Sequence, residues 1–326
     1  VTRKPTAAAA NLALAWGVIG EARDRMGNGP GAFAAFTAAN SILREQHRDF
    51  LSATHLPFHP DGVAFMTALV SQTDVTTWRA APVAPRTPVF LVGFPRSGTT
   101  LLDQILSSHS RIVCIEERGH LTNALSDVIT DRNNLARFSE LPDEKIEATR
   151  ADYWRRVETA ETPPDGALVV DKLPLNMVLL PLIKRVFPEA KIIFALRDPR
   201  DVVLSCYQQR FVMNAAMVQF LSLETAAPYY GAVMGLMEVC REKLALDLYQ
   251  VRYEDVVVDL EGAARGLTAF LGLAFEPSML AFHETALRRD INTPSARQVI
   301  QPLYTRSVAR WKRYETELSS ALPILN

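Results

Sequence analysis

The segment from Val89 to Leu102 constrains this chain more than any other. Val89, Phe90, Leu91 and Val92 form a short apolar run with the character of a buried strand. Gly93 to Gly98 is a turn holding two glycines, Arg96 and Ser97, and Thr99 and Thr100 follow at once. Leu101, Leu102, Ile105 and Leu106 recur at helical spacing, which predicts a helix from Thr99 to about Ser108. A strand, a glycine-bearing loop and a helix start aim backbone N–H groups and the positive helix end at an anion. Arg96 adds a fork that matches phosphate or sulfate oxygens, and three hydroxyls add donors. A plain glycine turn needs none of these groups, so the loop reads as a phosphate site.

What the loop lacks narrows the ligand. An ATP or GTP loop reads G-x-x-x-x-G-K-[ST], its lysine reaching the β- and γ-phosphates. Gly93 and Gly98 have that spacing, but Thr99 stands where the lysine belongs. Arg96 must supply the charge instead. A P-loop kinase is therefore the weaker reading of the same motif.

A second segment repeats the pattern. Lys191 to Leu196 is a β-branched apolar run of the kind found in buried parallel strands. Asp198 and Pro199 suit the N-cap and first position of a helix carrying Val202, Val203 and Ser205. Arg197 then emerges at the carboxyl end of a strand, where ligands of open α/β sheets bind. A charged turn with Arg197 paired to a carboxylate is the alternative.

At these two segments the chain resembles the sulfotransferases that use 3′-phosphoadenylyl sulfate (PAPS). It is most similar to the branch of the tyrosylprotein enzymes and the bacterial sulfotransferases fused to tetratricopeptide repeats. The resemblance runs from about Pro88 to Tyr314. It takes in Asp171-Lys172-Leu173-Pro174, Val251-Arg252-Tyr253-Glu254-Asp255, residues 295–304 and Arg310-Trp311. It implies that Arg96, Ser97, Gly98, Thr99 and Thr100 hold the 5′-phosphosulfate, and that Arg197 and Ser205 hold the 3′-phosphate. Glu117 falls where the family carries its catalytic base, with Glu116 beside it as the competitor. Lys172 matches the lysine that meets the departing bridging oxygen, and Ser295 a serine that stabilises the sulfuryl group. Tyr253, Gln298 and Arg310 are implied at the nucleotide, Arg310 standing where relatives have lysine. The tyrosylprotein enzymes carry an arginine two residues after the glutamate, facing acidic peptides; this chain has Gly119, with Arg118 and His120 as substitutes. The acceptor stays open among a peptide tyrosine and the alcohols or phenols of small molecules, sugars and lipids.

Composition agrees. A chain of 326 residues, 48% hydrophobic, can bury a large core. With 35 basic and 36 acidic residues its net charge is −1, which argues against a general nucleic-acid binder. No run reaches the roughly 18 apolar residues of a membrane span. No charged-then-apolar leader is seen, although the sequence starts at Val1 and an upstream piece is allowed for. Cys114, Cys206 and Cys240 are an odd, scattered set, read as free thiols in a reducing, cytoplasmic setting. The tyrosylprotein enzymes pair a cysteine at the place of Cys114 with one at the place of Val170, a pairing closed to this chain. The six histidines show no ligand spacing, and no metal is expected. The expected partners are the PAPS donor and a hydroxyl-bearing acceptor, with a homodimer allowed.

Ile112 to Ile115, Ala167 to Val170 and Leu248 to Arg252 read as further strands between helical stretches. This alternation implies an α/β fold: a P-loop-like, three-layer parallel sheet with helices on both faces. Residues 1–80 are expected to form a helical N-terminal segment, and residues 81–326 the sulfotransferase domain. Leu12 to Met26 and Ala32 to Gln46 read as two helices around a glycine-rich turn. Trp16, Ile19, Gly20, Ala32, Phe36 and Ala39 fit one degenerate tetratricopeptide repeat, or equally an ordinary helical hairpin. A non-enzymatic helical-repeat binding protein is the third functional reading.

Overall fold

The computed structural model describes residues 7–288, 299–301 and 303–326. They divide into two compact units: Val1–Ala64 with Asp198–Met234 and Thr305–Asn326, and Phe65–Arg197 with Gly235–Tyr304.

The second unit contains a parallel sheet of five strands: β1 (Val89–Gly93), β2 (Ile112–Glu116), β3 (Leu168–Lys172), β4 (Lys191–Leu196) and β5 (Asp247–Arg252). Their order across the sheet is β2-β3-β1-β4-β5. The central strand β1 is buried along its whole length, as a strand covered on both faces must be. Alternation divides its side chains. Val89 and Leu91 join a core with Leu102 and Ile105 of the Thr99–Ser107 helix and Leu267 of the Leu260–Leu271 helix. Phe90 lies among aromatic rings on the other face, 6.4 Å from Tyr153 of the Asp143–Ala160 helix and 6.1 Å from Phe187. The expected α/β architecture, with helices on both faces of a parallel sheet, is thus observed.

Local boundaries differ from the sequence reading in instructive places. The helical stretch that follows β3 is not a single α-helix. Instead Pro174–Leu179 is a 3₁₀ segment and only Leu180–Val186 is α-helical. Pro174 and Pro181 each lack the N–H that would carry a helix through them, so the chain restarts at each.

The first unit contains the helix pair Ala7–Arg25 and Gly29–Gln46. Asn28 accepts from the Gly31 amide and Pro30 fills the first turn, so this second helix starts three residues before the expected Ala32. The two helices approach closely because Gly20 faces Phe36: a Cβ at Gly20 would stand 2.7 Å from that ring. A hairpin is what both readings of this segment require. Among the described residues no helix is long and apolar enough to cross a membrane.

Candidate functional site

The strand order decides where a ligand belongs. From β1 the chain runs to β2 on one side of the sheet, and from β4 to β5 on the other. The connections diverge, leaving a crevice at the carboxyl ends of β1 and β4, where open α/β sheets bind ligands. The Phe94–Gly98 loop and Arg197 both open onto that crevice.

The loop is held in an uncommon backbone shape. Arg96 has φ 72° although it is not glycine, and Gly98 has φ 97°. A positive φ at a residue with a Cβ is costly and persists where the surroundings enforce it. At Gly98 only glycine fits, since a Cβ there would lie 2.8 Å from the Tyr253 ring. Gly98 is also the N-cap of the Thr99–Ser107 helix and has no side chain with which to cap it. Ser97, Thr99 and Thr100 are buried beside this terminus. Arg197, itself buried, donates from Nη1 to the Arg96 carbonyl at 3.1 Å. Its guanidinium carbon stands 4.7 Å from the centroid of the Tyr253 ring. The three loci Arg96–Gly98, Arg197 and Tyr253, separated by up to 157 positions in sequence, thus form one cluster. Backbone N–H groups, buried hydroxyls and two guanidinium groups suit a polyanionic ligand.

The edge formed by β2 and β3 is built differently. Lys172 ends β3 with no exposed side-chain surface, and its Nζ lies 2.9 Å from Glu117 Oε1 and 3.4 Å from Glu116 Oε1. Glu116 and Lys172 are register partners, so their side chains share a sheet face. In a regular strand the next residue would point to the opposite face. Glu117 does not, because its φ is 34°, outside the strand region. Its amide still donates to the Lys172 carbonyl at 2.9 Å, which anchors the kink at the last rung of the ladder. The left-handed conformation costs about 1–2 kcal/mol for an L-residue, and here it brings a second carboxylate onto one lysine.

Sequence reasoning missed the group beneath. Asp171 points to the other face of β3, fully buried, accepting from Tyr153 Oη at 3.1 Å and Asn176 Nδ2 at 3.5 Å. Burial pushes its carboxyl up to about 7, against smaller opposing effects of the Tyr153 hydrogen bond and the Lys172 charge. His120 begins the short His120–Ala124 helix. Burial first, then Arg118 and Arg156, lowers its basicity, so at neutral pH it offers no cation. Arg118 is exposed.

Ser205 and Arg310 belong to the first unit. Ser205 sits half-buried on the Pro199–Gln208 helix, which Asp198 caps through the Arg200 amide. Arg310 pairs with Asp24 at 2.8 Å, and Asp24 also accepts from Tyr314 Oη. Ser295 and Gln298 lie outside the described residues. All three cysteines are buried, and Cys114 is the register partner of Val170, with which it packs in the apolar core. Among the described residues no cluster of potential metal ligands is present.

A family model described as "Sulfotransferase family" matches residues 88–277, more than half of the chain. The chain belongs to the sulfotransferase family. It is similar to an uncharacterised protein of Aquifex aeolicus, 28% identical over 90% of this chain and 39% of that protein. It is also similar to protein-tyrosine sulfotransferase A of Caenorhabditis elegans, at 23% identity over 68% of this chain and 60% of the relative. The protein-tyrosine sulfotransferase of Drosophila melanogaster matches at 24% over 68% and 46%. The chain therefore spans between about two fifths and three fifths of the length of these relatives. Among solved structures it is similar to the sulfotransferase domain from the curacin biosynthetic pathway. That likeness has 18% identity over 72% of this chain and 99% of that one, with a TM-score of 0.43.

Proposed function

We propose that this sulfotransferase moves a sulfuryl group from PAPS to an acceptor hydroxyl. One observation carries the reading. The lysine missing after Gly98 is found at the end of β3, bonded to Glu117. A triphosphate loop needs its lysine at the helix start; sulfuryl transfer needs a cation at the leaving oxygen and a base at the acceptor.

The donor would supply an activated sulfuryl group on its 5′-phosphate. Arg96, Ser97, Gly98, Thr99 and Thr100 bind and orient the 5′-phosphosulfate in this reading, through backbone N–H groups, hydroxyls and the guanidinium. Arg197 holds the 3′-phosphate, and Tyr253 keeps the Arg197 fork in place from its other side. Glu117 removes the acceptor proton as the oxygen–sulfur bond forms, an effect typically worth about 10²–10⁴ in rate. Lys172 donates to the bridging oxygen as the sulfur–oxygen bond breaks and its electron pair passes to the phosphate, which leaves adenosine 3′,5′-bisphosphate. Positioning and electrostatic stabilisation carry such a transfer. The roles that the resemblance gives Ser205, Ser295, Gln298 and Arg310 are part of the same proposal. For the acceptor, Arg118 is the cation left near Glu117, since Gly119 has no side chain and His120 is neutral. An acidic peptide tyrosine thus has less support here than a neutral alcohol or phenol.

A thermal-shift comparison tests the reading. A ligand at about a hundredfold its Kd adds roughly 2.7 kcal/mol of stability. Adenosine 3′,5′-bisphosphate is expected to raise Tm clearly and ATP with magnesium to do little. Stronger stabilisation by ATP would replace this reading with that of a kinase.

A further inference from the structure

Lys172 is fully buried, and two carboxylates reach its Nζ. Glu117 and Glu116 touch its Nζ, and Asp171 adjoins it along β3 on the opposite face. Taken as an ion pair of Lys172 with Glu117 alone, this arrangement has a defect. Burial in general favours the neutral form of an ionisable group. In an isolated buried pair the lysine can hand its proton to the carboxylate. That single transfer removes the base and the cation together. Asp171 gives limited relief, since burial keeps it protonated through much of the neutral range.

Glu116 removes the defect. It is the register partner of Lys172, so the ladder itself holds its carboxylate on the lysine's face. Its side chain is 13% exposed, against 33% for Glu117. The two acids are therefore unequal: one is fixed by the sheet and shielded, the other is carried on a kinked residue and opens to solvent. Lys172 with both acids carries a net charge of −1. After Glu117 takes a proton, Lys172 and Glu116 remain a neutral pair, and the ammonium still has a counter-ion.

We propose that Glu116 is a positioning residue, the fixed counter-ion that holds Lys172 as an ammonium ion while Glu117 alone exchanges protons with the acceptor. This rests on the sulfuryl-transfer reading for its kinetic consequence, but the charge state of Lys172 can be examined without it.

The experiment uses the full chain with ¹⁵N-labelled lysine and follows the Lys172 Nζ resonance against pH by NMR, assigned with Lys172→Arg. An opposite charge within reach shifts a titration by about 1–3 units. In Glu116→Gln the Lys172 midpoint should fall by about one unit or more. Glu116→Asp, a shorter acid that preserves the charge, should show a smaller fall in the same direction, and it supplies a folded variant if Gln does not. An unchanged midpoint in Glu116→Gln would overturn the proposal. Turnover of PAPS gives the second readout. Glu116→Gln should lower kcat about tenfold, leave KM for the donor within about twofold, and move the alkaline limb of the pH profile to lower pH. Loss of the acidic limb instead would mean that Glu116 is itself the base, which also overturns it. If wild type neither turns over PAPS nor binds the bisphosphate, the functional reading fails, while the lysine titration still decides the role of Glu116.

Discussion

At the carboxyl ends of β1 and β4, the chain gathers a glycine turn, Arg96 and a buried Arg197 braced on Tyr253. At the carboxyl ends of β2 and β3, on the same sheet edge, a cation is enclosed and two carboxylates cover it. In the proposed reading the first arrangement serves the phosphates of the donor. The second pairs its cation with carboxylates of the protein itself. In the proposed reading one sheet keeps anion binding and proton transfer on different strands, so substitutions can test each while the other stands.

Substitutions can break that division, and the largest effects should come at the enclosed lysine. Lys172→Met removes the donor to the leaving oxygen and leaves two acids facing each other. Loss of one such donor costs about 10²–10³ in rate. Turnover should fall by that factor, and Glu117→Gln should fall by about 10² or more. Both variants should bind adenosine 3′,5′-bisphosphate within about threefold of wild type by calorimetry. Parallel loss of binding would show that the two regions are one.

Next in size is Arg197→Ala. A hydrogen bond to a charged group is worth about 1.5–3 kcal/mol, so bisphosphate affinity should drop by one to two decades. Binding of adenosine 5′-phosphosulfate, which has no 3′-phosphate, should barely change. Equal losses for both ligands would reassign Arg197 to bracing the loop through the Arg96 carbonyl.

The smallest functional effect is expected at Asp171, beneath Lys172 on the other face. Its carboxyl, near 7 when folded, holds a proton that the unfolded chain releases near 4. Between those values the folded state binds more protons, so stability falls as pH rises from about 4 to about 7 and stays lower above. The slope from this one group approaches about 1.4 kcal/mol per pH unit. Asp171→Asn should flatten it, as read from urea midpoints at pH 5 and pH 8, with turnover little changed.

The two regions also differ in how far sequence reveals them. The anion loop lies within fourteen consecutive residues, from Val89 to Leu102, and its chemistry follows from residue type and spacing. The β-runs at Lys191 and Ile112 were legible for the same reason, since burial on both faces demands an unbroken apolar string. The lysine cage was not. Glu116 reads in sequence as one of two adjacent solvated acids. Its pairing with Lys172, 56 positions away, exists only through the β2–β3 register. The φ of 34° at Glu117 has no signature in residue type, because glutamate rarely adopts it. Asp171 was quoted within a motif, yet its protonation comes from burial, against the hydrogen bond from Tyr153 of a helix distant from it in sequence.

Gly119 bears on how such an enzyme can change its acceptor. It has φ 61°, and a Cβ placed on it would meet nothing nearer than Asn123 Nδ2 at 4.0 Å. Space for a Cβ is therefore present, and the first obstacle to an arginine there is the backbone. An arginine installed there starts with a conformational penalty of about 1–2 kcal/mol, unless the turn from Glu117 into the His120–Ala124 helix relaxes with it. That turn also carries Glu117, the proposed base. A lineage trading glycine for arginine at this position, or a designer grafting it, thus meets an epistatic constraint: acceptor charge and base geometry share three residues of backbone and have to evolve together.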